Sequence, residues 1–324
     1  MKRRTWIARA ALAAITVRTG NSALAQSDRP VSLVVGYSAG GSADFVARAV
    51  GAEMAKRLGR QVVVENVAGA SGMIAAQKVV AGPSDGSMVY MGGTDTVIVP
   101  LVNNKVRLDW EKDYAPIGRM TTLPMIVAVP SGSPYNTLAE LTADLRKTNR
   151  ENFSYATPGV GTMQHLYGAL INKHARVSML HVPYKGGTQI ATDLIGRQVD
   201  SAILVLSTAM PFLRDGKIKA LSISDTLRSP QLPNVRRIGE EDGFSGIALP
   251  LWQGLFVKAG TPATAIAVLE KALLESLAQP ELRNKLAESG VLVSPMGGNE
   301  LRAFVKPQAT LYRDIVQAAQ ITAE

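Results

Sequence analysis

Hydrophobic residues follow two different spacings along most of the chain. Short apolar runs rich in β-branched residues, such as VSLVV at 31–35 and QVVVEN at 61–66, indicate buried strands. Between such runs the apolar residues recur every three to four positions, as they do after residue 42, which indicates helices packed on one face. Strands and helices that alternate in this order predict an α/β fold, with mainly parallel sheets flanked by helices.

Glycine-rich turns connect several predicted strands to the helices that follow them. They read YSAGGS at 37–42, AGASG at 68–72 and GGTD at 92–95, then TPGVGT at 157–162 and PYKGGT at 183–188. Because the carboxyl ends of parallel strands share one sheet edge, we expect the turns of each half to gather there. Helix N-termini at such an edge suit a carboxylate or phosphate, although the same turns also fit a purely structural role.

A change of domain is predicted where an apolar stretch ends in PSGSP at 130–134. The order of strand, turn and helix then begins again, and an apolar segment around Trp252 is expected to return the chain and pack at a hinge. We therefore predict that residues 26–127 and 250–324 form domain 1 and that residues 128–249 form domain 2. The part of the chain beyond residue 260 is predicted to be wholly helical.

The first 25 residues carry the three parts of a secretory signal peptide. A basic start at 2–4 is followed by a mostly apolar stretch to position 17, and ALA at 23–25 offers small residues for cleavage. We predict export to the periplasm with cleavage after Ala25. The alternative is an N-terminal helix that stays attached.

Composition excludes several classes of function. Five of the 35 Lys and Arg residues lie in the first 25 positions, so the formal charge of +9 falls to about +4 beyond them. That balance is too small to indicate nucleic-acid binding. The chain has no cysteine, which excludes disulfides and thiol catalysis, and its three histidines are too dispersed to predict a metal site. No cofactor is predicted.

Four motifs together go beyond a generic α/β pattern. They are GYSAGGSAD at 36–44, VVVEN at 62–66, SYATPGVGTMQHL at 154–166 and HVPYKGG at 181–187. In order and spacing they resemble the substrate-binding proteins of tripartite tricarboxylate transporters, also called Bug receptors. The resemblance implies a two-domain, type II-like clamshell that is not an enzyme. It also implies a monomer that closes over a small organic carboxylate and delivers it to integral-membrane transporter subunits.

The resemblance points to loops on both sides of an interdomain cleft, and the third glycine-bearing turn of the first half adds two residues. The predicted ligand-binding residues are Tyr37, Ser38, Ala39, Gly40, Thr94, Asp95, Gly159, Gly161, Thr162, His165, Tyr184 and Lys185. The chain departs from the family at Gly36-Tyr37, where Pro-Phe is common, and near Leu204-Val205, where a polar residue is common. These departures leave the ligand open among dicarboxylates, tricarboxylates and aromatic carboxylates.

An enzyme hypothesis comes from the same first turn. GYSAG at 36–40 matches G-x-S-x-G, the nucleophile elbow of α/β-hydrolases, in a strand–turn–helix context. Ser38 would be the nucleophile, with a base among His165, His174 and His181 and an orienting carboxylate at Asp109 or Asp113. Against this hypothesis, the motif follows the first predicted strand, whereas several strands precede it in those enzymes.

Overall fold

The computed structural model describes residues 29–150, 152–224, 229–241, 244, 251–318 and 321. The predicted signal peptide and the predicted recrossing at 249–250 lie outside these residues. The strands in chain order are β1 (Val31–Val35), β2 (Val62–Asn66), β3 (Met88–Gly93), β4 (Tyr114–Leu123), β5 (Met125–Pro130), β6 (Ser154–Thr157), β7 (Leu180–Pro183), β8 (Ser201–Val205), β9 (Ile218–Ile223), β10 (Leu251–Lys258) and β11 (Leu292–Gly297).

The helices lie mostly between these strands, as the alternating pattern predicts. They are α1 (Ser42–Leu58), α2 (Met73–Ala81), α3 (Thr94–Val102), α4 (Leu138–Thr148), α5 (Met163–Ala175), α6 (Gly187–Ile195), α7 (Leu206–Arg214), α8 (Ala263–Leu277), α9 (Pro280–Glu288) and α10 (Gly298–Ala318). None of the helices in the described ranges is long and apolar enough to cross a bilayer.

The strands form two sheets, which confirms the two-domain α/β prediction. Sheet 1 has the order β11-β4-β10-β3-β1-β2, and sheet 2 has the order β7-β6-β8-β5-β9. Helices α1, α2, α3, α8, α9 and α10 contact sheet 1, whereas α5, α6 and α7 contact sheet 2. In each domain parallel strands lead into helices at one sheet edge, and helix starts from both domains line one cavity.

The sheets are mixed, which corrects the expectation of mainly parallel ones. Strands β1, β2 and β3 pair in parallel, as do β6, β7 and β8, but β10, β4, β11, β5 and β9 pair antiparallel. Strands β4 and β5, which flank the passage from sheet 1 to sheet 2, are among the antiparallel ones. Because β10 returns from the second domain, it enters sheet 1 between β3 and β4 in the opposite direction.

The first crossing lies slightly earlier than the sequence suggests. Strand β4 belongs to sheet 1 and β5 belongs wholly to sheet 2, so the chain changes domain at Pro124. The predicted boundary between residues 127 and 128 falls inside β5. Both strands are buried along nearly their whole length, so no exposed segment between them marks where one sheet ends.

The C-terminal region is not wholly helical, because β11 joins the edge of sheet 1. This strand is mostly half-buried or exposed and contains Pro295, so it lacks the apolar run of a central strand. Proline is tolerated at a sheet edge, where a ladder hydrogen bond is dispensable. The register beside β4 shifts between Val293 and Met296, which accommodates it.

Candidate functional site

Five helices begin at a cavity between the two sheets. Its walls include Ser42 at the start of α1, Asp95 in the first turn of α3, Gln164 of α5, Gly187 at the start of α6 and Thr208 near the start of α7. The space not filled by atoms is ≈ 740 Å³, part of it open to solvent. The N-terminus of a helix carries partial positive charge and unsatisfied N–H groups. Convergence of several such ends favours an anion without any basic side chain.

The β1–α1 turn forms the wall from domain 1. Tyr37 and Ser38 line the cavity, whereas Ala39 and Gly40 lie exposed at its rim. Gly40 has φ +81°, a left-handed conformation that favours glycine, and its N–H donates to Asp44 Oδ2 at 2.9 Å. The amide of Ser42 donates across the cleft to Thr208 Oγ1 at 3.1 Å.

Asp95 carries a charge at the centre of the site. Its Oδ1 accepts a hydrogen bond from the backbone N–H of Met163, in the other domain, at 2.8 Å, and its Oδ2 accepts one from the Tyr37 hydroxyl. Burial raises the pKa of Asp95 to about 6. Burial, and then the nearby Asp95 charge, raises the pKa of Tyr37 well above its usual value. Asp95 is therefore an anion at neutral pH, and Tyr37 is its hydrogen-bond donor.

The turn after β6 forms the wall from domain 2. Gly159 and Gly161 have φ values of +144° and +77°, which let the turn fold back on itself. Thr162 is the N-cap of α5, because its hydroxyl oxygen accepts from the His165 amide at 3.3 Å while it donates to Gly159 O at 2.8 Å. Of this wall, Pro158 and Gln164 line the cavity itself.

His165 supports this turn from behind. Its Nδ1 accepts the Gly161 N–H at 3.1 Å, and its ring stacks on His181 with centroids 3.9 Å apart. His181 Nε2 is 2.6 Å from Thr157 Oγ1. Burial lowers the pKa of His165 to about 4 and, with the neighbouring histidine, that of His181 to about 3. Both rings are thus neutral at pH 7 and fix the turn through hydrogen bonds.

Tyr184 and Lys185 lie at the rim. The Tyr184 hydroxyl donates to Asp193 Oδ2 at 2.8 Å, within domain 2. Lys185 is exposed, and its carbonyl accepts from the Ser38 hydroxyl at 3.3 Å, which joins the two rims. Tyr184 and Gly159 also line a separate surface cleft beside Ser71.

Several cavity residues escaped the sequence reasoning. The Gln164 side chain is 4% exposed, and its Oε1 has no hydrogen-bond partner. Its position in the first turn of a helix entered from a predicted ligand loop is the signal that could have identified it. Thr208 and Gln253 also line the cavity, but no motif surrounds them. Trp252, expected at a hinge, is 1% exposed, packs on Phe304 and lines the cavity as well.

The geometry does not assemble the predicted hydrolase constellation. The Ser38 hydroxyl donates to Lys185 O, while His165 and His181 hydrogen-bond groups of their own domain. The Asp109 amide donates to Asp113 Oδ2 at 2.7 Å, in the loop before β4. A nucleophile, a base and an orienting acid would have to be within hydrogen-bond reach of one another.

Comparison with known proteins agrees with the motifs. The profile of the tripartite tricarboxylate transporter family receptors (TctC) matches residues 46–321. The periplasmic binding protein BugD has a TM-score of 0.86 and 29% identity, covering 91% of this chain and 99% of its own. Rpa4515 of R. palustris, solved with adipate, has a TM-score of 0.86 and 26% identity over 91% and 98% of the two chains.

MatC (Rpa3494) from Rhodopseudomonas palustris, solved with bound malate, has a TM-score of 0.82 and 30% identity over 89% of this chain and 99% of its own. The family match covers sheet 2 and most of sheet 1, and of the described elements only strand β1, the turn after it and the first residues of α1 precede it. The resemblance inferred from the four motifs is thereby confirmed. The chain belongs to the tripartite tricarboxylate transporter receptor family.

Proposed function

We propose that this protein is a periplasmic receptor that captures a small organic carboxylate in the interdomain cavity. It then delivers the carboxylate to the membrane subunits of a tripartite tricarboxylate-type transporter. The observation that carries the proposal is the convergence of five helix N-termini, drawn from both domains, on one cavity. Such an arrangement stabilises an anion through backbone N–H groups and helix dipoles.

The chemistry of the relatives supports a carboxylate over other anions. Rpa4515 was solved with adipate and MatC with malate, and both are small carboxylates. The cavity of this chain also has apolar walls, at Met91, Leu204 and Leu251, that suit the carbon skeleton of such a ligand.

The predicted site residues divide into two roles under this proposal. Tyr37, Ser38, Thr94 and Asp95 face the ligand, and Gln164 and Thr208 join them. The remaining predicted residues shape the loops and the rim that close over it: Ala39, Gly40, Gly159, Gly161, Thr162, His165, Tyr184 and Lys185. A transport receptor only binds and releases its ligand. We therefore assign no covalent step to Ser38.

Binding can be tested on the mature protein beginning at Gln26 by thermal unfolding with mono-, di-, tri- and aromatic carboxylates. A ligand at 100 times its Kd stabilises by about 2.7 kcal/mol, or about 4 °C for a chain of this size. Thr208→Val should reduce the shift because it removes a cavity hydroxyl, whereas Thr188→Val at the exposed rim serves as the control. Failure of every carboxylate to raise the Tm would refute the proposed function.

Export and delivery need separate tests. Intact-mass analysis of periplasmic extract should find a chain starting at Gln26, and retention of Met1 in the cytoplasm would contradict export. Uptake of the identified carboxylate should be lost in cells that lack this chain and be restored by its expression. Uptake that is unchanged by the deletion would contradict the transporter role.

A further inference from the structure

We propose that Asp95 makes this receptor selective for monocarboxylates over dicarboxylates, because its own carboxylate already occupies the N-terminus of α5. The inference rests on the proposed function and narrows its ligand class. The favoured ligand has one carboxylate and a far end that is neutral or cationic.

Asp95 reaches across the cleft to the place where a ligand carboxylate would be held. It belongs to α3 of domain 1, yet its Oδ1 lies 2.8 Å from the N–H of Met163, the first residue of α5 in domain 2. A carboxylate at this position gains both the hydrogen bond and the favourable end of the helix dipole. The Tyr37 hydroxyl fixes the second oxygen, so the side chain is held from both domains.

No cation offsets this charge inside the cavity. Among the described residues that line it, Asp95 is the one with a charged side chain, and no lysine, arginine or histidine is present. At pH 7.5 Asp95 is mainly ionised, since its pKa is about 6. A second ligand carboxylate near Asp95 would meet like-charge repulsion in a poorly solvated space, while the first could still use the helix ends of α1, α6 and α7.

Gln164 points to the same ligand chemistry. Its side chain is 4% exposed, it lines the cavity, and its Oε1 has no hydrogen-bond partner. A buried acceptor without a donor is costly, so a ligand hydroxyl, amide or ammonium group would relieve it, whereas a carboxylate would not. Asp95 and Gln164 are both in the first turn of their helices, and both present acceptor oxygens.

Three matched sets of ligands test the inference by calorimetry on the mature protein at pH 7.5. They are butanoate, 4-aminobutanoate and succinate; pentanoate, 5-aminopentanoate and glutarate; and 4-methylbenzoate, 4-(aminomethyl)benzoate and terephthalate. Within each set one carboxylate and the carbon skeleton are kept and the far end changes. In the set that binds, the dicarboxylate should be weaker than its neutral or amino analogue by roughly tenfold or more.

The variant Asp95→Asn removes the charge while keeping the side-chain shape. It should bind the dicarboxylate roughly tenfold more tightly than the wild type does and so lose most of the discrimination. A wild-type protein that prefers the dicarboxylate overturns the inference even if the variant fails to fold. Unchanged discrimination in a folded variant also overturns it, and both results leave the proposed function standing. Failure of every carboxylate to bind overturns the inference and the proposed function together.

Discussion

At the scale of single residues, desolvation sets the protonation of the groups around the cleft. It raises the pKa of Asp95 to about 6 and lowers that of His165 to about 4. The two shifts make the free energy of unfolding change with pH in opposite directions. The reason is that Asp95 is charged when it loses a proton, whereas His165 is charged when it gains one. Each effect can be isolated by comparison with a non-titrating variant.

Asp95 should weaken the folded state as the pH rises. Its pKa in the folded state, about 6, lies above its ordinary value of 3.8, so the folded chain holds the proton more tightly. The stabilisation that protonated Asp95 gives the folded state is present at low pH and is lost as the pH rises through 6. In urea unfolding, the stability of the wild type relative to Asp95→Asn should fall by about 2 kcal/mol between pH 4 and 7.

The control is Asp109→Asn, because Asp109 is more exposed and its pKa is lowered by a hydrogen bond from Lys112. The stability of the wild type relative to this variant should change with pH in the opposite direction. Equal pH slopes for the two variants would contradict the burial of Asp95.

His165 should make the protein sensitive to acid. Its pKa in the folded state, about 4, lies below its ordinary value of 6.5, so the unfolded chain takes up a proton first. The stability of the wild type relative to His165→Asn should fall by about 2 kcal/mol as the pH drops from 6.5 to 5. His174→Asn, on the exposed end of the same helix, is the matched control. A pH-independent difference for His165→Asn would show that its ring is not desolvated.

At the scale of elements, the walls of the candidate site are built from the starts of α1, α3, α5, α6 and α7. Thr162 caps α5 and glycines with positive φ place the preceding turn against α3 of the other domain. At Gly161 an added Cβ would lie 3.2 Å from Val102 Cβ and 3.4 Å from Val99 Cα. The absence of a side chain there is needed for the two domains to approach each other.

Gly161→Val should therefore weaken ligand binding more than folding. The left-handed conformation costs about 1–2 kcal/mol for a residue with a Cβ, which unfolding experiments should detect. Closure against α3 would be blocked as well, so we expect binding to weaken by roughly tenfold or more. Gly216→Val is the control, since Gly216 has φ +65° but no atom within 4 Å of an added Cβ. It should lose comparable stability and bind normally, and normal binding by Gly161→Val would remove this turn from the site.

At the scale of the whole molecule, hydrogen bonds across the cleft join the domains. Ser71 Oγ donates to Val160 O at 2.7 Å, the Ser42 amide donates to Thr208 Oγ1, and Met163 donates to Asp95. Neither domain surrounds the cavity alone, so a ligand held by both should favour the closed arrangement over an open one. The chain crosses between domains at Pro124 and again before β10.

Loading with a carboxylate should make the protein more compact. Small-angle scattering is expected to give a smaller radius of gyration with ligand than without it, and we expect the fluorescence of Trp252 to change because it lines the cavity. Trp110→Phe removes the other tryptophan beyond residue 25 and isolates this signal. A tight ligand that leaves the scattering unchanged, with no compact ligand-free state to explain it, would remove the clamshell mechanism but not the site.

The sequence by itself determined the features that depend on nearby residues. Alternating apolar periods predicted the order of strands and helices. Glycine-rich turns before helices predicted an anion site at the helix starts, which stays a prediction. The motifs at 36–44, 62–66, 154–166 and 181–187 were specific enough to identify the family. These signals are local because periodicity, capping and turn conformation act over a few residues.

Only the tertiary structure decided what the turns contact. It brought Asp95 to Met163, placed His165 behind Gly161 and left Ala39 and Lys185 exposed at the rim. In the same way, the position of β10 between β3 and β4 and of β11 at the edge of sheet 1 is seen only in the folded chain. Residues such as Asp95 and Met163 are 68 positions apart, and no local pattern encodes their approach. Burial, and with it the charge state of each group, depends on packing between distant segments of the chain, so it emerges only when both domains are assembled.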